Sequence, residues 1–271
     1  MKKYLVIGNP IEHSLSPKLH NYWIKNNNIN AVYKKKNINE DEIESLILEV
    51  RKKKLNGINV TVPFKKKVIP YLDLLSLEAE STQSVNTIYL DNDKVVGHNT
   101  DIVGFELGIK NSKFKIEGKK IFILGAGGVV PSIIFALNKM NASEITISNR
   151  TKDRAKNLKK IFKDLKIIDW GKIPEFDMII NATSLGLNKD DQINLDFSKV
   201  GKNKYFYDVI YNPKETSFLK TGKRIGNETE NGKLMFIYQA FTAFKVWHEV
   251  EPEINNEVIK LLDLWLELEF W

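Results

Sequence analysis

Hydrophobic and polar positions follow two periods along the chain. Short apolar runs closed by Gly, Pro or Asn read as strands over residues 4–8 (YLVIG), 31–36, 57–63 (GINVTVP), and 85–90 and 94–98 around an Asp-Asn-Asp turn. Further strands are expected over 121–124 (IFIL), 144–148 (EITIS), 177–182 (DMIINA) and 204–210 (KYFYDVI). Helical spacing falls over 16–28, 40–53, near 129–140, near 152–163, and again over 239–271. Segment 40–53 puts acids first and bases last, as the helix dipole prefers. Ser16-Pro17 is a start signal, with Ser as N-cap and Pro at the first helical position. From residue 121 strand and helix alternate, which predicts a parallel sheet with helices on its faces. The first domain is expected to end near residue 101. The apolar C-terminal run LLDLWLELEFW (261–271) is spaced for burial, in the core or at an interface.

The chain has 271 residues, enough for one large domain or two modest ones. Hydrophobic residues make up 42% and charged residues 28%, which fits a folded globular protein and argues against disorder. The absence of cysteine excludes disulfides, thiolate metal sites and cysteine nucleophiles. His13, His20, His98 and His248 are too dispersed for a ligand pair, so no metal is expected. Net charge is +7, but the Lys runs at 34–36, 52–54 and 65–67 are short and scattered. Clustered Arg with aromatics, the mark of a nucleic-acid binder, is lacking. The start MKKYLVIGNP has too short an apolar run for a signal peptide. Ile121–Leu137 contains three Gly and a Pro and reads as strand, turn and helix, not as a membrane span. A cytoplasmic protein is expected, with no membrane or nucleic-acid partner.

Residues 119–131 (KKIFILGAGGVVP) carry a strand straight into Gly125-Ala126-Gly127-Gly128-Val129 and then a helix. Glycines there allow a tight turn and let backbone N–H groups approach a pyrophosphate at the helix N-terminus. The sixth position of the fingerprint is Val130, which sets strand and helix slightly farther apart. Pro131 is tolerable in the first turn. A site for NAD usually ends the next strand with Asp or Glu. Here stand Asn149, Arg150, Thr151 and Arg154, and only four arginines occur in the whole chain. Guanidinium forks suit a 2′-phosphate, so NADP(H) is expected over NAD.

Ser14 and Ser16 lie two apart, so in an extended segment both hydroxyls face one side, fit for a polyhydroxylated acid. Capping of a helix by Ser16 is the other reading. Thr61 follows Asn59 at strand spacing, and Lys65 lies just past Pro63. A Lys there is ordinarily a solvated tail, and an Asp after Asn-Thr, as at Asp101, is ordinarily a turn or cap.

Taken together, IGNPIEHSLSPKLHN (7–21), GINVTVPFK (57–65), SVNTI (84–88), GHNTDIVGF (97–105), GAGG, NRT, INATSLGL (180–187) and NGKLMFIYQAFTAFKVW (231–247) resemble the shikimate dehydrogenase family, in order along essentially the whole chain. The resemblance implies an α/β fold of two domains with a cleft between them. Residues 1–101 and 242–271 would form a substrate domain, and 102–241 a Rossmann-like, doubly wound NADP domain. It implies reversible NADPH-dependent reduction of 3-dehydroshikimate to shikimate, a step toward chorismate and the aromatic amino acids. It makes Lys65 the general acid/base and Asp101 its partner. Ser14 and Ser16 would bind the substrate carboxylate and Asn86 its hydroxyls, with Thr61, Tyr211 and Gln239 completing the pocket. Val209 and Gly232 would line the nicotinamide. Two positions depart from the family pattern: Gln83-Ser84 before Val-Asn-Thr, and Val129-Val130-Pro131 after the glycines.

The alternatives are a quinate/shikimate dehydrogenase with broader substrate and cofactor use, and a non-catalytic regulatory protein on the same scaffold. Ser-x-Ser and the lack of an acid at 149 weigh against the first. Retention of Lys65 and Asp101 weighs against the second. The partner is expected to be a small molecule, and the assembly a monomer or homodimer.

Overall fold

The computed structural model describes residues 1–112, 114–188 and 190–268. In chain order the elements are β1 (Lys2–Gly8), α1 (Ser16–Asn26), β2 (Ala31–Asn37), α2 (Ile43–Arg51), β3 (Gly57–Val60), β4 (Leu74–Leu75), α3 (Leu77–Thr82), β5 (Thr87–Asp91), β6 (Lys94–His98) and α4 (Asp101–Asn111). There follow β7 (Lys120–Leu124), α5 (Val130–Lys139), β8 (Glu144–Ser148), α6 (Lys152–Ile161), β9 (Lys166–Ile168), β10 (Met178–Asn181), β11 (Tyr205–Asp208), α7 (Ser217–Arg224), β12 (Glu228–Glu230), α8 (Lys233–His248) and α9 (Asn256–Leu268). The chain divides into two compact units, Met1–Val103 with the chain from Ile237 onward, and Gly104–Phe236. The division falls inside α4 and α8. Among the described residues no helix is long and apolar enough to cross a membrane.

The first unit holds a mixed sheet in the order β2-β1-β3-β5-β6-β4. β1 pairs in parallel with both β2 and β3, while β3–β5 and β5–β6 are antiparallel. Asn92 and Asp93, both at positive φ, make the tight turn of the β5–β6 hairpin. All four residues of β3 are buried, as a central strand requires. Ile7, Ile47, Val50, Ile58, Val60 and Phe64 fill the core around it. Trp247 of α8 packs against Gly57, where a Cβ would stand 2.3 Å from its Nε1, and donates from Nε1 to the Ile88 carbonyl at 3.2 Å. Gly57 thus admits the indole onto the strand.

The second unit holds a six-stranded sheet in the order β9-β8-β7-β10-β11-β12, parallel throughout. Counted within the unit, that is 3-2-1-4-5-6, the doubly wound order whose direction reverses between β7 and β10. Phe122, Leu124, Phe176, Ile179, Phe206 and Phe218 pack together against one another.

Several boundaries differ from expectation. The 57–63 run stops pairing after Val60, since Pro63 has no N–H for a ladder. Ser16 is not an N-cap: Leu15 takes that place with φ −83 and ψ −3, and no side chain caps the helix. The Ser14–Ser16 segment is therefore not extended, and Ser16 is the first helical residue. Helix 16–28 ends at Asn26, with Asn28 at φ 52. The C-terminal helical stretch is two helices, broken at Glu249, which has positive φ. Of the 261–271 run, Leu262 is buried and Leu264 exposed; the side chains from 266 onward lie outside the described residues.

Candidate active site and dinucleotide site

After β3 the chain turns through residues 62–68 and brings Lys65 back beside the β5–β6 pair. Val85 N–H donates to the Lys65 carbonyl at 2.8 Å, which fixes the turn. β6 ends at His98, and Asn99-Thr100 lead into α4 with Asp101 as its first residue. A carboxylate is favoured at that helix end. Lys65 Nζ lies 2.5 Å from Asp101 Oδ2, with side-chain exposures of 12% and 8%. The other carboxylate oxygen, Oδ1, accepts from Asn86 Nδ2 at 3.0 Å. Asn86 Oδ1 accepts from the Thr100 backbone N–H at 2.7 Å and from Thr87 Oγ1 at 3.1 Å. Asn86 thus joins the strand end to the helix start and aims the carboxylate. The pair is nearly dry, so removing either partner would strand a charge. An ammonium bonded to one carboxylate oxygen keeps two further N–H donors for a ligand oxygen.

Ser14 precedes α1, and its Oγ accepts from the Ser16 backbone N–H at 3.4 Å. Ser16 is buried, and the phenol of Tyr33 donates to Asn59 Oδ1 at 2.7 Å. Thr61 follows β3 directly and donates its N–H to the Ile7 carbonyl at 2.9 Å. Asn59 Nδ2 donates to the Asn86 carbonyl and to Thr87 Oγ1, both at 3.0 Å. Gln239 lies on α8, within the first unit. The first unit therefore brings Lys65, Asp101 and Asn86 into direct contact.

In the second unit Gly125 follows β7 directly at φ +106, and a Cβ there would stand 2.7 Å from the Ala182 carbonyl oxygen. Only glycine fits that position. At Gly127 a Cβ would meet nothing nearer than 3.8 Å. Gly127 and Gly128 are exposed, with Ala126 and Val129 half-buried beside them. The turn thus leaves open backbone at the start of α5, at the switch point between β7 and β10. Pro131 sits in the first turn of α5 and Val130 is fully buried. At the end of β8, Asn149 Nδ2 donates to the Thr151 carbonyl at 2.7 Å. Arg150, Thr151 and Arg154 are exposed, and no ion pair among the described residues engages either arginine. Two free guanidiniums with no carboxylate on the loop's strand end fit a phosphate on the adenosine ribose.

Across the switch point Val209 N–H donates to the Asn181 carbonyl at 3.0 Å. A Cβ on Gly232 would stand 2.1 Å from the Val209 carbonyl oxygen, so these two backbones touch. Asp208 is buried and accepts from Asn181 Nδ2 (3.0 and 3.1 Å), Thr216 Oγ1 (2.6 Å) and Ile210 N–H (3.0 Å). Burial pushes its carboxyl up to about 6, against those bonds. Tyr211 stacks on Phe236 with ring centroids 4.5 Å apart. Sequence reasoning gave no role to Tyr33, Thr87, Thr100 or Asp208. Their only signal was a polar residue inside a stretch otherwise built for burial.

A glycine turn at the switch point of a doubly wound sheet, together with a largely buried Lys–Asp pair, defines a dinucleotide-dependent α/β oxidoreductase. The family descriptions that match are "Shikimate dehydrogenase substrate binding domain" over residues 6–88 and "Shikimate / quinate 5-dehydrogenase" over 108–196. The NADP(+) shikimate dehydrogenase of Pelagibacter ubique is 57% identical, covering 97% of this chain and 99% of its own. That of Carboxydothermus hydrogenoformans is 38% identical, covering 92% of each. The crystal structure of the Aquifex aeolicus shikimate dehydrogenase superposes with TM-score 0.88 at 36% identity over 96% of both chains. The Thermus thermophilus enzyme, solved with NADP(H) and shikimate, gives 0.85 at 29% identity, over 93% of this chain and 95% of that one. The chain belongs to the shikimate dehydrogenase family.

Proposed function

We propose that this protein catalyses the reversible NADPH-dependent reduction of 3-dehydroshikimate to shikimate, in the pathway toward chorismate and the aromatic amino acids. The observation that carries the reading is the nearly dry Lys65–Asp101 pair, held by Asn86, in a chain whose other unit presents an open glycine turn. The first unit is the substrate domain and the second the NADP domain. The bound dinucleotide supplies a hydride to the ring carbonyl carbon. Lys65 gives its proton to the carbonyl oxygen, and in the reverse direction takes the hydroxyl proton back. Asp101 orients the ammonium and stabilises its charge between turnovers. Ser14 and Ser16 hold the carboxylate of the substrate. Asn86 and Thr61 hold ring hydroxyls, and Tyr211 and Gln239 complete the pocket. Gly125, Ala126, Gly127, Gly128 and Val129 receive the pyrophosphate at the start of α5. Asn149, Arg150, Thr151 and Arg154 take the adenosine 2′-phosphate, and Val209 and Gly232 present backbone to the nicotinamide. The protein works in the cytoplasm as a monomer or homodimer, which sedimentation would distinguish.

Initial rates at the reduced-nicotinamide absorbance band test the reading, with shikimate or quinate, each with NADP+ or NAD+. Rate with shikimate and NADP+ alone is expected. Comparable rate with quinate or NAD+ would instead assign a broader quinate/shikimate dehydrogenase. No rate in any combination would overturn the proposal.

A further inference from the structure

Asp208 is wholly buried at the end of β11, and none of the roles above uses it. Among the described residues, every group bonded to its carboxylate is neutral. Oδ1 accepts from the Ile210 N–H and from Asn181 Nδ2, each at 3.0 Å. Oδ2 accepts from Asn181 Nδ2 at 3.1 Å and from Thr216 Oγ1 at 2.6 Å. These donors belong to three segments. Asn181 ends β10, and its own Oδ1 accepts from the Thr183 N–H at 3.1 Å and the Thr183 hydroxyl at 2.7 Å. Its Nδ2 also donates to the Leu185 carbonyl at 3.0 Å, so this side chain shapes the turn after β10. Thr216 is the N-cap of α7, where its Oγ1 accepts from the Leu219 N–H at 3.3 Å. Ile210 follows Val209, and its carbonyl accepts from the Gly232 N–H at 3.1 Å. One carboxylate thus ties together the turn after β10, the segment after β11 and the start of α7.

Packing does not require an acid here. The rest of β11 is Tyr205, Phe206 and Tyr207, all buried. A carboxylate taken from water with no cation beside it is costly, and its hydrogen bonds are what offset that cost. We infer that Asp208 is a positioning residue: its carboxylate sets the turn at Val209–Ile210 and so holds the Val209 backbone in place against the nicotinamide for hydride transfer. An amide is a poor substitute. Asn181 Nδ2 lies within bonding distance of both carboxylate oxygens. In Asp208→Asn the new amino group therefore faces the Asn181 amino group in either orientation, donor against donor. Turned one way it also opposes the Ile210 N–H. Turned the other way it leaves the Thr216 hydroxyl proton without its acceptor.

The inference rests on the nicotinamide role proposed for Val209 and Gly232. The test compares the native protein with Asp208→Asn and Asp208→Ala at about pH 8, where the carboxyl, pushed up by burial to about 6, is ionised. Calorimetry gives dissociation constants for NADP+ and for ADP carrying a 2′-phosphate, which lacks the nicotinamide ribose. It also counts binding sites, and kcat is expressed per site, so loss of folded protein does not enter. Asp208→Asn is expected to lower kcat about tenfold and to weaken NADP+ binding about threefold, the loss of one buried hydrogen bond and of the geometry it sets. Asp208→Ala is expected to lower kcat about a hundredfold. In both variants the dissociation constant for the 2′-phosphate analogue should stay within about twofold, because the adenosine end is held elsewhere. A merely structural role would lower the number of sites and leave kcat per site unchanged, or weaken both ligands alike. An unchanged kcat in Asp208→Asn, or equal weakening of the two ligands, would overturn the inference. Asp208→Asn keeps the shape of the native side chain, so the test stands even where Asp208→Ala fails to fold. A native protein inactive on shikimate would overturn instead the reading the inference rests on.

Discussion

His20 packs wholly inside the first unit, against Tyr33, Trp23, Phe244 and Trp247. Neither ring nitrogen has a hydrogen-bond partner among the described residues. Burial, with the nearby His248 adding to it, pushes the imidazole down to about 3. In the unfolded chain the same group titrates near 6.5. Below that pH the unfolded chain takes up a proton that the native chain refuses. The neutral ring's contribution is therefore complete above about pH 6.5 and is lost as pH falls toward 3. At pH 5 the gap is about 1.5 pH units, and at about 1.4 kcal/mol per unit the loss is on the order of 2 kcal/mol. His248, pushed down to about 4, acts in the same direction. His20→Phe keeps a flat ring on Tyr33 and cannot charge. Urea unfolding followed by the fluorescence of Trp23 and Trp247, at pH 7.5 and at pH 5, measures the effect. The stability lost between the two pH values should be smaller in His20→Phe by about 2 kcal/mol. Exposed carboxylates held below their usual range, such as Asp73 beside Arg51, titrate alike in both proteins and cancel in the difference. An identical pH dependence in the two proteins would refute the argument that this imidazole is buried neutral.

Other predictions concern the second unit. Gly127→Ala should leave the melting temperature unchanged, since its Cβ would lie 3.8 Å from the nearest atom. It should weaken NADP+ binding at least about tenfold in a fluorescence titration, because the methyl occupies the approach to the pyrophosphate. Gly125→Ala should instead lower stability by about 1–3 kcal/mol, from its positive φ and the Ala182 carbonyl, measurable without cofactor. Arg150→Ala should raise KM for NADP+ about 10–100-fold, the loss of one charge-assisted phosphate contact, with KM for NAD+ little changed.

The doubly wound unit was legible because its four central strands are buried along nearly their whole length, and two of them end in punctuation: Gly125 after β7 and Asn149 after β8. Short elements such as β4 (two residues) and α3 (six) carry too few positions for a period to show. Lys65 and Asp101 were named from motif resemblance. Nothing in their spacing, thirty-six residues apart, declared the 2.5 Å contact that the turn after β3 and the start of α4 create. The Ser14–Ser16 reading lost its geometric premise, since Leu15 is helical where an extended backbone was assumed. Tyr33 and Asn59 were opaque for a plain reason. A tyrosine and an asparagine in strands read as packing and as a turn signal, and only the tertiary fold joins the two polar ends.

The central claim is that Lys65, paired with Asp101, handles the proton of the reaction. Lys65→Ala, measured for kcat and for shikimate binding by calorimetry, tests it most directly. The account predicts a loss of about 10²–10⁴-fold in kcat, the range for one general acid/base group, while the dissociation constant for shikimate changes much less. A Lys65→Ala protein that binds shikimate and turns over at near-native rate would contradict it.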